Sequence, residues 1–294
     1  MLEDILNIFT TAIRNEEGYL FLFPAYAIIL GIERLAHHLL APKHRWHNKD
    51  AAANIVITLA AQGVNLGMGH ILPLAFMALI YEKANLIALP NSAWGWLLGF
   101  VLYDLAWYLD HRLGHRTGLF WAMHHVHHSS CEYNTTVASR GFIFDSTYLP
   151  RPTFLLLPLV GISPFHFVVI SITTNIWGIA QHTRLVGKLG WLDWLLATPS
   201  SHRVHHGYNE KYIDRNYGEI LMIWDHLLGT YQAEEEEPDF GVTVPIETHN
   251  PLLIQFAGLH WLRAKIGQAR SIGDKLRCLF MPPEWVPKSQ PGES

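Results

Sequence analysis

Three groups of histidines in this 294-residue chain carry the spacing of metal ligands. His111 and His115 lie four apart; His124, His127 and His128 form H-x-x-H-H, and His202, His205 and His206 repeat that pattern. Residues at i, i+3 and i+4 share one helix face, so each group aims several imidazoles at one point. Neutral imidazole is the commonest protein ligand for zinc, iron, copper and nickel. Eight convergent histidines exceed what one ion needs and point to two metals. The only cysteines are Cys131 and Cys278, with no C-x-x-C pair, so neither a thiolate zinc site nor a disulfide framework fits. The absence of H-E-x-x-H excludes a zinc protease of that type.

Apolar helices must position these side chains. Half of the chain is hydrophobic and only 16% is charged, with a mean hydropathy of +0.13, more apolar than an ordinary soluble protein. A net charge of −4 makes nucleic acid an unsuitable partner. Residues 1–18 carry Glu3 and Asp4 where a secretory signal would be basic, so an N-terminal interfacial segment without a cleavable signal is expected. Apolar stretches cover 19–40, 51–80 (broken by Gly63, Gly67, Gly69 and Pro73), 93–109 and 149–180. About 20 residues span a bilayer. The basic loop 41–50 faces the cytoplasm by the positive-inside rule, which puts every histidine group on that face.

The expected fold is an all-α integral membrane protein, of a bacterial inner membrane or the endoplasmic reticulum. It has about four transmembrane or re-entrant segments and a cytoplasmic helical histidine-rich metal domain. Transmembrane helices occupy 19–110, and a first histidine-rich part covers 111–148. A transmembrane or re-entrant hairpin follows over 149–182, interrupted at Gly161-Ile162-Ser163-Pro164, then a second histidine-rich part over 183–260. Residues 261–294 form a basic amphipathic segment that lies either on the membrane surface or against the polar domain.

Four motifs resemble the sterol desaturase/fatty acid hydroxylase superfamily. They are D-x-x-x-Y-x-x-H-R-x-x-H (104–115), W-x-x-H-x-x-H-H-S-S (121–130), T-P-S-x-H-R-V-H-H-G (198–207) and N-Y-G-x-x-x-x-x-W-D-x-x-L-G-T (216–230). Within it, S-S-C-E-Y-N-T-T (129–136) with Arg140, I-D-R-N-Y-G (213–218) and the tail M-P-P-E-W-V-P (281–287) are most similar to the alkylglycerol monooxygenase-like branch. The resemblance implies a non-haem di-iron centre held by His111, His115, His124, His127, His128, His202, His205 and His206, with His182 as a ninth ligand. Gly178, one turn before His182, cannot add a tenth. His125, at the variable position of its motif, and His226, after the W-D pair, fall outside the set. His37, His38, His44, His47, His70, His166, His249 and His260 have no ligand spacing. Cys131, Val137 and Asp110 depart from the family pattern. The first two fall in 129–140, a stretch expected beside the site, so these departures bear on substrate choice.

Metal-bound imidazoles usually give their second N–H to a carboxylate or a carbonyl. Asp104 and Asp225 are the first candidates for that outer role, then Asp193 and Asp110; a helix cap or an arginine partner is the alternative for each. Acid–base side chains alone cannot break an unactivated C–H bond; a redox metal can, and zinc cannot. The resemblance therefore implies two iron ions, which zinc could replace in recombinant protein, and O2 as co-substrate. The expected reaction hydroxylates an alkyl C–H of a fatty acyl chain, ether lipid or related lipid. Desaturation at the same site is the alternative. Electrons must come from a separate donor (a reductase, cytochrome or pterin), since no flavin, haem or nicotinamide motif is visible. A non-catalytic metal transport or storage membrane protein is the competing class, but it would place ligands and acidic partners within the spans.

Overall fold

The structure, a computed structural model, describes residues 22–40, 46–68, 71–84, 86–87, 89–144 and 152–287. The expected N-terminal interfacial segment 1–18, His44 and His70 lie outside them. Among the described residues the architecture is helical, and the only β pairing is two isolated bridges, Leu196 with Leu221 and Gly207 with Phe240.

Helices α1 (Leu22–Leu40), α2 (Asn48–Met68), α3 (Ile71–Ala84) and α4 (Ala93–Arg116) cover the first apolar region. The stretch 51–80 divides between α2 and α3. Helix α4 starts at an N-cap, where the Ser92 hydroxyl accepts from the Gly95 N–H, and continues unbroken through His111 and His115. Its apolar first half thus rigidly carries the first histidine pair. Among the described residues no helix is long and apolar enough to cross a membrane. Polar residues interrupt the hydrophobic runs: α1 holds Glu33, Arg34, His37 and His38, and α2 opens on Asn48, Lys49 and Asp50.

After the turn at Thr117 come α5 (Gly118–His128), the one-turn α6 (Thr135–Ala138), a 3-10 segment (Phe154–Val160) and α7 (Pro164–Gln181). The break expected at 161–164 is a left-handed cap: Gly161 has φ 89°, and a Cβ there would collide with the Ile87 carbonyl. Ser163 and Pro164 then start α7 as N-cap and N1. Tyr103, Ala106, Leu157, Ile162, Phe167 and Ile170 form a core that joins α4, the 3-10 segment and α7.

The polar half contains α8 (Trp191–Leu195), α9 (Pro199–His206), α10 (Ile223–Leu228), α11 (Pro251–Gln268) and α12 (Ile272–Phe280). A second core of Ala53, Ile57, Met123, Val126, Phe142 and Ile254 fixes α5 between α2 and α11. Helix α12 buries Cys278 beside the start of α5, where the Gly118 N–H donates to the Met281 carbonyl, and leaves Ile272, Leu276 and Phe280 exposed. One face of α12 thus packs on protein, and the other is open to its surroundings.

Candidate metal centre

The nine histidines converge as two clusters. His111, His115, His124, His128 and His205 each place a ligand atom within 4.8 Å of the others, and His127, His182, His202 and His206 do the same. The two H-x-x-H-H motifs each divide between the clusters. On α5 the i, i+4 pair His124 and His128 joins the first cluster, while His127 turns to the second. On α9 the i, i+4 pair His202 and His206 joins the second, while His205 turns to the first. Helix α4 supplies His111 and His115, and the C-cap of α7 supplies His182. Helix α9 owes its placement to a capping box, in which Thr198 and Ser201 exchange side-chain and backbone bonds.

Carbonyls fix four of the nine ring orientations. His111 Nδ1 meets the Tyr217 carbonyl at 2.9 Å, His205 Nδ1 the Arg215 carbonyl at 2.9 Å, His127 Nδ1 the Arg140 carbonyl at 3.1 Å and His182 Nδ1 the Gly178 carbonyl at 2.7 Å. A carbonyl only accepts, so each of these Nδ1 atoms carries the proton and each Nε2 presents a lone pair. Those lone pairs face other ring nitrogens: His111 Nε2 lies 3.1 Å from His124 Nε2, His205 Nε2 lies 3.2 Å from His128 Nε2, and His182 Nε2 lies 3.1 Å from His202 Nε2. The Nε2 atoms of His115 and His206 are buried with no hydrogen-bond partner. Metal–imidazole bonds of about 2.0–2.1 Å put neighbouring donors roughly 3 Å apart, so a shared cation fits this spacing.

Burial also disfavours the charged form of six of these imidazoles. It pushes His111, His124, His128, His202, His205 and His206 well below the ordinary imidazole value, and the neighbouring imidazoles lower them further. His125 lies outside both clusters; burial, then the Arg140 charge, holds it at about 4. His226 also lies outside, with Nε2 on the Trp194 carbonyl at 2.9 Å and its ring between Trp194 and Tyr231.

The four aspartates expected behind the histidines are placed as follows. Asp104 accepts from the backbone N–H groups of Ile220 and Leu221 and from Trp224 Nε1. Asp225 accepts from the N–H groups of Tyr217 and Gly218 and from the Thr230 hydroxyl, which shapes the turn whose Tyr217 carbonyl meets His111. Asp193 accepts from the Leu189 N–H and the Thr198 hydroxyl, and so supports the cap of α9. Asp110 accepts from the Thr153 N–H.

Asp214 is a carboxylate that meets a cluster histidine directly, 3.5 Å from His115 Nδ1 and ion-paired with Arg116. Burial would raise Asp214, but His115 and Arg116 outweigh it and hold it at about 2. Asp214 and Asn216 both adopt left-handed backbone, at φ 59° and 56°, and between them the chain aims the Arg215 and Tyr217 carbonyls at His205 and His111. Aspartate and asparagine tolerate that conformation best after glycine. The signal was present in I-D-R-N-Y-G, but spacing alone does not reveal which loop residues point inward.

Aromatic rings pack against the clusters. Tyr217 packs edge-on against His115 at 5.2 Å, and Tyr133 stacks on His182 at 5.5 Å while its hydroxyl donates to the Gln181 carbonyl. In the 129–140 stretch, Arg140 is a buried clamp rather than an open contact. Its guanidinium donates to the Val126 carbonyl, Ser129, Asn54 and Asp50 at 2.6–3.1 Å, which ties the end of α5 to α2.

Residues 96–230 match the sequence model of the family described as fatty acid hydroxylase. An alkylglycerol monooxygenase from Danio rerio is 37% identical over 212 residues, 71% of this chain and 46% of that protein. An ornithine lipid hydroxylase from Rhizobium tropici is 28% identical over 244 residues, 79% of this chain and 74% of that protein. A Delta(7)-sterol 5(6)-desaturase from Eremothecium gossypii is 29% identical over 144 residues, 48% of this chain and 38% of that protein. The chain spans about half the length of the alkylglycerol monooxygenases it matches. No solved structure matches.

Proposed function

We propose, since residues 96–230 belong to the fatty acid hydroxylase family, that this chain is a membrane-bound oxygenase that hydroxylates an alkyl C–H of a lipid. The observation that carries this reading is the division of nine histidines, seven buried and two (His124 and His127) half-buried, into two adjoining clusters inside the region that matches the family. His111, His115, His124, His128 and His205 would hold one iron, and His127, His182, His202 and His206 the other. Iron held there supplies the redox chemistry with O2 that acid–base side chains lack.

The protein's own groups do three things. The carbonyls of Tyr217, Arg215, Arg140 and Gly178 set the tautomers and keep the Nε2 lone pairs aimed inward. Tyr133 and Tyr217 cover part of the clusters, which limits the access of water to a reactive centre. Helix α4 joins the first cluster to its own apolar half, a path along which an alkyl chain reaches the site. In the overall reaction one oxygen atom enters the C–H bond and the other leaves as water. Two electrons and two protons come from a separate donor.

The alkylglycerol monooxygenase similarity favours an ether lipid. Hydroxylation beside the ether oxygen gives a hemiacetal that breaks to an aldehyde and an alcohol. Hydroxylation of an acyl or amino lipid is the variant suggested by the ornithine lipid hydroxylase, and desaturation the one suggested by the sterol desaturase. We place the apolar parts of α1, α2–α3, α4 and α7 in the bilayer, with the metal centre at its cytoplasmic face.

The test is metal content and product formation on detergent-purified protein, native and with His124→Ala, His128→Ala and His205→Ala. About two irons per chain, reduced in the variants, with an oxygenated lipid formed under O2 and a reductant, supports the reading. Metal content unchanged by the substitutions overturns it.

A further inference from the structure

We infer that α8 and α10 form a docking platform that lies in the interfacial layer of a lipid bilayer. The inference rests on the membrane reading above and adds a second contact, made by the polar half of the chain. Trp191, Trp194 and Leu227 are 72%, 57% and 68% exposed, with Leu195, Ile223 and Leu228 exposed beside them. Single exposed apolar residues are ordinary, but two short helices that present this many together mark an interaction surface. The helices are joined by the Leu196–Leu221 bridge, by the Met222 N–H to the Leu195 carbonyl and by His226 on the Trp194 carbonyl. The patch is therefore a fixed surface.

Its position along two other helices says what covers it. Asp104 of α4 accepts from Ile220, Leu221 and Trp224, which pins α10 beside the middle of α4. Asp104 precedes His111 by seven residues, about 10 Å at 1.5 Å per residue, toward the apolar start of the helix. Trp177 of α7 donates its indole N–H to the Ala197 carbonyl just after α8, and it precedes His182 by five residues, again on the apolar side. Both anchors hold the platform on the same side of the metal centre as the exposed Trp94, Leu97 and Leu98 of α4. A bilayer that contacts α4 there would also meet α8 and α10. Tryptophan with an apolar body and one N–H suits the headgroup boundary.

Spin labels report this directly. In a Cys131→Ser background, labels at Trp191→Cys, Trp194→Cys and Leu227→Cys are compared in liposomes with Leu97→Cys on α4 and Glu235→Cys in the run of four glutamates at 234–237. The platform labels should resemble 97, relaxed more by O2 than by a water-soluble nickel chelate, with 235 reversed. Platform labels that read as aqueous while 97 reads as lipid overturn the platform and leave the membrane reading intact. Aqueous values at 97 as well overturn both. Platform labels shielded from both reagents overturn the inference in favour of a protein partner.

Discussion

The imidazoles of His128 and His206 stack at 4.4 Å between centroids, with 26° between their planes, although they belong to different clusters. The two candidate metal positions therefore share a wall, and neighbouring residues in the sequence line different clusters. His205 and His206 are adjacent, yet His205 belongs with the first cluster and His206 with the second. Either His205→Ala or His206→Ala should lower metal content from about two ions per chain toward one, and the double substitution toward none. Elemental mass spectrometry decides it; a single substitution that removes nothing would break the assignment.

Asp214 should act through His115. Outer-sphere partners of metal ligands are worth about 10–100-fold in metal affinity. Asp214→Asn keeps a residue suited to φ 59° and removes the charge that faces His115 Nδ1 and Arg116. It should weaken metal binding within that range while the melting temperature of the chelator-treated protein changes little. Competition with a chromophoric chelator measures the first, and a thermal melt the second. Asp214→Ala should also lower the melting temperature, because alanine is poorly suited to left-handed backbone.

Acid should destabilise the metal-free protein earlier than carboxylate chemistry alone would. His111, His124, His128, His202, His205 and His206 are all held below their ordinary value of about 6.5 by burial and by one another. A base with a lower pKa in the folded state takes up its proton more readily when unfolded. Its full contribution is present above about pH 6.5 and declines as the pH falls below that value toward the folded-state values. Thermal melts of chelator-treated protein should drop from pH 7 to pH 5. A flat profile over that window would contradict the burial of the histidines.

Arg140 offers a test of the framework behind the second cluster. Its guanidinium is buried with Asp50 at 3.1 Å, and its carbonyl meets His127. Arg140→Met leaves a buried carboxylate without its cation, at a cost of about 3–5 kcal/mol. Adding Asp50→Asn should recover part of that loss, because the double variant no longer buries a lone charge. Denaturant unfolding of the three variants measures it, and strict additivity would contradict the pairing.

The convergence of the histidines is legible because i, i+3 and i+4 spacing on a helix is a direct geometric statement. His182 could be placed only by resemblance, since a helix C-cap carries no periodic signal. The grouping into five and four is not legible: it depends on how α4, α5, the end of α7 and α9 come together, which no local pattern encodes. Asp214 was missed for the same reason, because a left-handed residue turns its side chain in a direction that spacing cannot show. Asp104 and Asp225 were read as supports for histidine rings. Their carboxylates accept from the 217–224 loop; four of the histidines turn Nδ1 to carbonyls, which every residue type carries, and His115 turns its Nδ1 to Asp214.

Helix α11 sets the position of the histidine-bearing helix α5 by backbone contact. A Cβ on Gly258 would collide with the Ala122 carbonyl, on the helix that carries His124, His127 and His128. Gly258→Ala must push α5 away from α11, toward the clusters. Overpacking of this kind costs about 1–3 kcal/mol. The displacement should also lower metal affinity, although Gly258 belongs to neither cluster. Gly267, on the same helix, has nothing within 4 Å of its Cβ position, so Gly267→Ala should leave metal binding alone and stabilise the helix by up to about 1 kcal/mol. Melting temperature and metal content on both variants separate the two effects. Equal behaviour at 258 and 267 would mean that α11 does not position the centre.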